Sequence, residues 1–220
     1  MSSRYRVTGA VLAAWFAAAP LAAQQTGRPL IIGVYGGGYD HLLNLNSAGT
    51  AQFTPGASVG VTAGVQLNRF VALHGDFTFH WCDAQGNTSL AGRNFDFFFY
   101  GAHVELGYPL SGGVTPYLFL GGGALTVRQV DATATISPFT KPAAMFGLGF
   151  FYALPRTRLE LFAEAKDLVY RWDRGGLDPG QWEFTTTEGR PYEVTWYAAA
   201  VDHTQWDLTY TAGVSYRFAR

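Results

Sequence analysis

Thirteen consecutive residues near the carboxyl end of the chain, Trp206 to Phe218, alternate between apolar and polar or small side chains without interruption. A period of two residues predicts a β-strand with one apolar face and one polar face. Strands of soluble sheets are usually about five or six residues long. A strand of this length therefore needs a structural reason.

Strand-like segments recur along the chain, and together with the last one they number eight. In the first and fifth segments, apolar residues occupy both the odd and the even positions. The side that faces outward therefore cannot be assigned from sequence. The eight segments are Leu30 to His41, Pro55 to Leu67, Phe70 to Cys82, Phe95 to Tyr108, Pro116 to Arg128, Ala143 to Leu154, Arg158 to Arg171 and Trp206 to Phe218.

The connections between these segments alternate between long and short. The long ones are 42–54, 83–94, 129–142 and 172–205, and the short ones are 68–69, 109–115 and 155–157. Barrels of bacterial outer membranes have an even number of antiparallel strands, short periplasmic turns and longer outer loops. The pattern predicts an all-β fold, an antiparallel eight-stranded up-and-down transmembrane β-barrel with both termini in the periplasm. An apolar band of ~25 Å crossed by strands tilted near 40° requires roughly ten residues per strand, which the segments supply.

In the stretches Arg158 to Lys166, Val71 to Trp81 and Phe99 to Tyr108, charged and histidine side chains occupy only alternate positions. We expect that side to face the lumen, because a charge facing lipid is costly. Two accounts of these charges stay open: a network that fills the lumen and fixes strand register, or a gate or proton-linked pore. We expect Trp206, Tyr216 and Phe218 to form an aromatic girdle at the two membrane interfaces. The expected interior polar network comprises His74, Asp76, His103, Glu105, Glu160, Glu164, Lys166 and Arg217.

The amino-terminal residues have the composition of a secretory signal peptide. Arg4 and Arg6 precede an uncharged stretch from Val7 to Ala23. We expect residues 1–23 to be removed and residues 24–220 to form the barrel domain. The remaining chain has 13 basic and 16 acidic side chains, which gives no basis for binding nucleic acid. Its single cysteine, Cys82, excludes an intramolecular disulfide.

The fourth long connection, 172–205, contains two short strand-like runs around Glu188, Gly189 and Arg190. We expect a hairpin that rises above the membrane. If its arms continued into the wall, the barrel would have ten strands, but the first arm is shorter than the nine to eleven residues usually needed. The sequence therefore favours eight strands.

Neither a metal site nor a catalytic set is recognisable. His74, Asp76, His80 and His103 are suitable ligand types, but His74 and His80 stand ~20 Å apart along an extended strand. A search for a nucleophile, base and acid finds only scattered candidates, and no cofactor is expected. Those candidates are Ser89, Ser137, His41, His203 and Asp202.

The signal peptide, the eight segments, "TPYLFLGGGA" at Thr115 to Ala124 and "YTAGVSYRF" at Tyr210 to Phe218 together resemble the small outer-membrane β-barrel family. OmpA-type transmembrane domains and opacity-like porins belong to that family. The resemblance implies insertion in the outer membrane, contact with its lipids and no catalysis.

We therefore expect an outer-membrane barrel with a structural or surface-interaction role, a lumen filled by polar side chains and an extracellular partner bound through the long loops. The oligomeric state stays open. Three alternatives remain from sequence: a lipid A-modifying enzyme of the outer membrane, a small-solute pore, and a soluble lipocalin-like barrel that binds an apolar ligand.

Overall fold

The structure is a computed structural model that describes residues 29–42, 51–86, 92–130, 138–172, 181–185, 191–195 and 203–218. The expected signal peptide, residues 1–23, and its cleavage site lie outside these residues. Within the described parts of the chain, no helix is long and apolar enough to cross a membrane.

Eleven strands form in the described parts of the chain, and eight of them coincide with the predicted segments to within a few residues at each end. The strands are β1 (Leu30–His41), β2 (Ala51–Phe53), β3 (Gly56–Gln66), β4 (Val71–Gly86), β5 (Asn94–Gly107), β6 (Val114–Gln129), β7 (Phe139–Ala153), β8 (Leu159–Trp172), β9 (Gln181–Thr185), β10 (Pro191–Thr195) and β11 (His203–Phe218).

Eight strands close into a barrel, which confirms the predicted fold class. Each is antiparallel to both neighbours in the cyclic order β1, β3, β4, β5, β6, β7, β8, β11. The first strand pairs along its whole length with the last, from Leu30 opposite Phe218 to His41 opposite Asp207, and so completes the ring. No sheet edge is left open in the wall.

Three short strands lie outside the wall. β2 falls within the first long connection and pairs with the extension of β4. β9 and β10 pair with each other in a separate two-stranded sheet, with Trp182 opposite Val194 and Phe184 opposite Tyr192. The predicted hairpin in the fourth long connection therefore forms, and it does not enlarge the barrel to ten strands.

The two ends of the barrel differ in their connections. At one end, called the turn end, lie Leu30, Phe218 and the short connections 67–70, 108–113 and 154–158. The opposite end, called the loop end, carries the four long connections. The turn between β5 and β6 uses Gly112 and Gly113 at φ 85° and 83°, a left-handed conformation that favours glycine.

The outward face of the barrel is apolar. Leu106, Leu118, Leu120 and Leu148 are each more than half exposed, and similar side chains surround the wall. An apolar surface of this extent is rare on a soluble protein. The parity left open by the sequence is now resolved for β1, because Ile31, Tyr35 and Tyr39 are buried and Ile32 and Val34 are exposed.

The interior is not polar throughout, which corrects the expectation from sequence. Most of the charged side chains lie in the turn-end half and the middle of the lumen, whereas the loop-end half is built mainly from aromatic and aliphatic ones. On β6, Leu125 and Val127 project inward in this loop-end half, and Tyr117 and Phe119 project inward nearer the turn end. These inward apolar residues are the reason that alternation could not orient β6. The loop-end core includes Tyr39, Phe53, Phe95, Phe97, Phe99, Leu125, Val127, Met145 and Leu168.

Candidate functional site in the barrel lumen

The middle of the lumen holds a buried lysine with several acceptors, which we call the Lys166 network: Lys166, Asp76, Tyr35, Thr78 and Glu164. Nζ of Lys166 lies 3.1 Å from Asp76 Oδ2 and 3.5 Å from Glu164 Oε1. It also lies 3.3 Å from the hydroxyl of Tyr35 and 3.4 Å from that of Thr78. Tyr35 donates a short hydrogen bond to Asp76. Each charge therefore has partners, as burial in the lumen requires.

The Lys166 network is tied to two further strands through Glu164. The hydroxyl of Tyr117 donates to Oε2 at 3.1 Å, and that of Thr211 donates to Oε1 at 3.2 Å. Strands β1, β4, β6, β8 and β11 are thus linked by polar contacts at one depth. Such contacts hold the strands in register, because a slip of one residue would turn the buried charges outward.

A second ion pair lies nearer the turn end. Arg217 Nη2 is 2.9 Å from Glu160 Oε1 and 3.1 Å from Oε2, and Nη1 donates to Gln66 Oε1 at 3.0 Å. The Arg217 side chain is 35% exposed. This end of the lumen is therefore open to solvent.

Between the two ion pairs lie three residues with few protein partners: His74, His103 and Glu105. The imidazoles of His74 and His103 are cross-strand neighbours and stack with ring centroids 5.2 Å apart. Nε2 of His74 is 3.6 Å from Glu105 Oε2, too far for a hydrogen bond. All three side chains are almost fully buried. The lumen thus brings together all eight residues that the sequence assigned to its interior, although only some are bonded to one another.

Two cavities lie around these residues. One of about 150 Å³ lies at the turn end and is lined by residues that include Gln66, Phe70, Glu160 and Arg217. A smaller one of about 20 Å³ lies deeper, beside the Lys166 network. Glu105 and Phe151 line both.

A polar cluster in the loop-end half was missed by the sequence reasoning. Asp207 accepts from the hydroxyl of Tyr39, lies 2.7 Å from His41 Nδ1 and accepts from Gln205 Nε2 at 3.3 Å. The other nitrogen of His41 is 3.6 Å from Cys82 Sγ. Asp207 occupies the same alternating positions of β11 as Thr209 and Thr211, which face inward. This alternation in the sequence could have identified Asp207 as a residue of the lumen.

Cys82, His41 and Asp207 stand in the order of a nucleophile, a base and an orienting acid. Cys82 is only 5% exposed and is surrounded by the loop-end core, so the described residues offer no space for a substrate beside the thiol. We interpret the cluster as a buried hydrogen-bond network. Ser89, Ser137 and Asp202, considered earlier as catalytic candidates, lie outside the described residues, and His203 begins β11.

The described parts of the chain give no support for a metal site. Among the residues that the structure describes, no three His, Cys, Asp or Glu side chains are arranged to hold an ion. His80 is completely buried and stacks on Tyr39 with centroids 4.0 Å apart, whereas His74 lies nearer the turn end beside His103.

The three residues expected in the aromatic girdle project outward. Trp206, Tyr216 and Phe218 are 40%, 36% and 42% exposed. Trp206 and Tyr216 are ten residues apart, which corresponds to ~25 Å along the barrel axis for a tilted strand. Tyr216 contacts Phe218 edge to face at 4.7 Å, and Trp206 contacts Phe146 at 5.9 Å.

Some charges have the outward parity, contrary to the expectation that polar sides face inward throughout. They lie towards the loop end, where Arg128 pairs with Asp96 and its guanidinium lies 5.4 Å from the Phe98 ring centroid. Asp83 also points outward there. Headgroups and water replace hydrocarbon near a membrane surface, so charges at this level are tolerated.

Comparison with known proteins supports the fold. No protein-family model and no curated protein sequence matches the chain. Neisserial surface protein A has a similar structure, with 16% identity and a TM-score of 0.54 over 87% of this chain and 97% of that chain. The outer membrane protein OprG from Pseudomonas aeruginosa matches with 14% identity and a TM-score of 0.55 over 88% and 97% of the two chains. The resemblance to small outer-membrane barrels is thereby confirmed at the level of the fold.

Proposed function

We propose that this chain, which has the fold of the small outer-membrane barrels, is a membrane-embedded barrel with a closed lumen and a structural or surface-interaction role. Its outward apolar side chains contact the outer-membrane lipids. The turn end, with both termini, faces the periplasm, and the long connections face the exterior. Residues 1–23 act as the signal for export.

One observation carries the proposal of a closed lumen: every strand of the wall contributes a fully buried inward side chain to the loop-end half. None of the eight is more than 1% exposed, so no continuous water path passes between them. They are Tyr39, Ser58, His80, Phe97, Val127, Met145, Leu168 and Thr209. An eight-stranded barrel is just wide enough for its own side chains to fill.

Conductance across a planar lipid bilayer tests closure. We expect the refolded protein to give no stepwise current. A double variant, Tyr39→Ser with Phe97→Ser, removes two large rings from the loop-end core and should give small current steps. Phe98→Ser is the matched control, because it removes a neighbouring ring that faces out of the barrel. This variant should give no current steps. Reproducible steps from the unaltered protein would refute closure and favour a small-solute pore.

The location can be tested by fractionating native cells. We expect the protein in outer-membrane fractions, because the exposed apolar side chains need hydrocarbon contact. Recovery in the soluble periplasm would refute the proposal and favour the lipocalin-like alternative.

The surface role rests on the fourth long connection and its β9–β10 hairpin. Trp172 and His203 are cross-strand neighbours, so a two-residue Asn-Gly turn can replace residues 173–202 without altering the wall. The connection contains Arg174, whose bond to Gly175 is a trypsin site. Trypsin added to intact cells should cut the unaltered protein after Arg174, a cleavage that the shortened protein cannot undergo. Cleavage that requires permeabilised cells would contradict the proposed orientation.

A further inference from the structure

The turn-end half of the lumen is a pocket rather than a passage. Its cavity of about 150 Å³ reaches solvent beside Arg217, and Glu105 and Phe151 line both this cavity and the deeper one of about 20 Å³. Above the deeper cavity, Tyr35 and Asp76 belong to the Lys166 network. The loop-end core lies beyond that network.

Carboxylates outnumber cations in this pocket, even when Arg69 in the wall of the larger cavity is counted. Asp76 and Glu164 lie within 3.5 Å of Lys166, and Glu160 lies 2.9 Å from Arg217. Glu105 is the remaining carboxylate, and among the described residues it has no lysine or arginine within ion-pair distance. Its side chain is only 9% exposed. A carboxylate this deeply buried needs a cationic partner or a proton, because desolvation of an unpaired charge costs several kcal/mol.

The hydrogen bonds of Thr62 determine which atom His74 presents to Glu105. The Thr62 hydroxyl donates to the carbonyl of Gly75 at 3.2 Å, so its oxygen is left to accept from His74 Nδ1 at 3.3 Å. A neutral His74 then has its lone pair on Nε2. That nitrogen has no hydrogen-bond partner and lies 3.6 Å from Glu105 Oε2. Two acceptors therefore face each other with no donor between them.

A further nitrogen atom without a hydrogen-bond partner lies beside this pair. Nδ1 of His103 is buried without a hydrogen-bond partner, and His103 lines the same small cavity as His74 and Glu105. While Glu105 is ionised, the group that satisfies this site must bring hydrogen-bond donors and a positive charge. A primary ammonium has three N–H donors and one positive charge. A neutral donor would leave the charge of Glu105 uncompensated, and an anion would be repelled.

The larger cavity indicates the size and polarity of the rest of the bound molecule. Phe70 and Phe151 supply apolar walls, and a cavity near 150 Å³ holds a molecule about the size of benzene. We propose that the turn-end lumen binds a small primary alkylammonium ion, with its nitrogen between Glu105 and His74 and its stem in the larger cavity. Arrival of this ion from the periplasm rests on the proposed function, but the binding site itself does not.

The test is a titration of the full mature chain in lipid nanodiscs with n-butylammonium chloride, followed by the ring resonances of isotope-labelled histidines. At about pH 8 an alkylammonium keeps its charge, whereas a free imidazole is neutral. We expect saturable shifts of the His74 and His103 resonances. The uncharged n-butanol and the anionic butyrate, at the same ionic strength, should produce none.

Two variants localise the binding. Glu105→Gln keeps the side-chain shape and should weaken butylammonium binding at least tenfold. Asp83→Asn removes the same charge from an exposed outward position and should leave the affinity unchanged. If Glu105→Gln fails to refold, the comparison of butylammonium with butanol on the unaltered protein decides alone.

Shifts that do not saturate, that appear equally with butanol, or that persist in Glu105→Gln would overturn the proposal and leave water as the occupant. Nanodiscs expose both ends of the barrel, so binding is measured whether or not the lumen conducts. A conducting barrel that binds the amine would contradict closure alone. A closed barrel that does not bind it would contradict the pocket alone.

Discussion

Lys166 and Asp76 form an ion pair across the barrel, with Nζ and Oδ2 3.1 Å apart and neither side chain more than 3% exposed. Lys166 lies on β8 and Asp76 on β4, which stand opposite each other in the ring of eight strands. The pair therefore joins two walls that share no backbone hydrogen bonds. Removing either partner leaves the other charge buried.

Lys166→Met should destabilise the folded barrel by about 3–5 kcal/mol, because Asp76 and Glu164 would lose their cation. The double variant Lys166→Met with Asp76→Asn should recover part of that loss. Urea unfolding in lipid vesicles, followed by the gel mobility of the folded form, measures both. If the single and double variants were equally stable, the two residues would not be coupled.

Asp207 organises the polar cluster of the loop-end half, and its loss should loosen that half. Asp207→Ala leaves the donors of Tyr39, His41 and Gln205 without this acceptor, at a cost of about 1–3 kcal/mol for each buried group left unsatisfied. Cys82 is the sole thiol, so its reaction with a water-soluble maleimide reports the opening.

We expect negligible labelling of the unaltered barrel and clearly faster labelling of Asp207→Ala. Asp40→Asn removes a charge from the outward face of β1 and serves as the control, with no change expected. Equal labelling of Asp207→Ala and the unaltered protein would show that Asp207 does not hold the cluster together.

The fold was predictable because the lipid imposes a simple rule on each strand. Charges such as Glu160 and Lys166 could be placed inward from parity alone, since the outward position is costly. The loop-end core could not be predicted, because inward apolar residues such as Phe97 and Val127 obey no such rule. The same ambiguity left β1 and β6 unoriented.

The details of the lumen depend on contacts between strands distant in sequence. Asp76 and Lys166 are 90 residues apart, and His41 and Asp207 are 166 apart. Strand register and barrel closure bring them together, and parity gives only their side of the wall. Likewise, that His74 Nε2 and Glu105 face each other as two hydrogen-bond acceptors is apparent only once the hydrogen bonds of Thr62 are known.

Leu120 is the most exposed large apolar side chain on β6, at 68%, and lies roughly midway along the wall. In a membrane, Leu120→Arg should cost about 2–4 kcal/mol of folding stability, because the charge would face hydrocarbon. Leu120→Ala, which introduces no charge, should cost less. Refolding yield and urea unfolding in vesicles measure the difference. An arginine variant as stable as the alanine variant would indicate an aqueous surface at this position.

Spin labelling of single cysteines tests most directly whether the outward face meets lipid. With Cys82 replaced by alanine, nitroxides at Leu120, Leu161 and Val214 would be compared in vesicles for collision with oxygen, which partitions into lipid, and with a water-soluble nickel chelate. We predict high accessibility to oxygen and low accessibility to nickel at all three positions. High nickel accessibility, or nitroxides immobilised in a protein interior, would contradict the account.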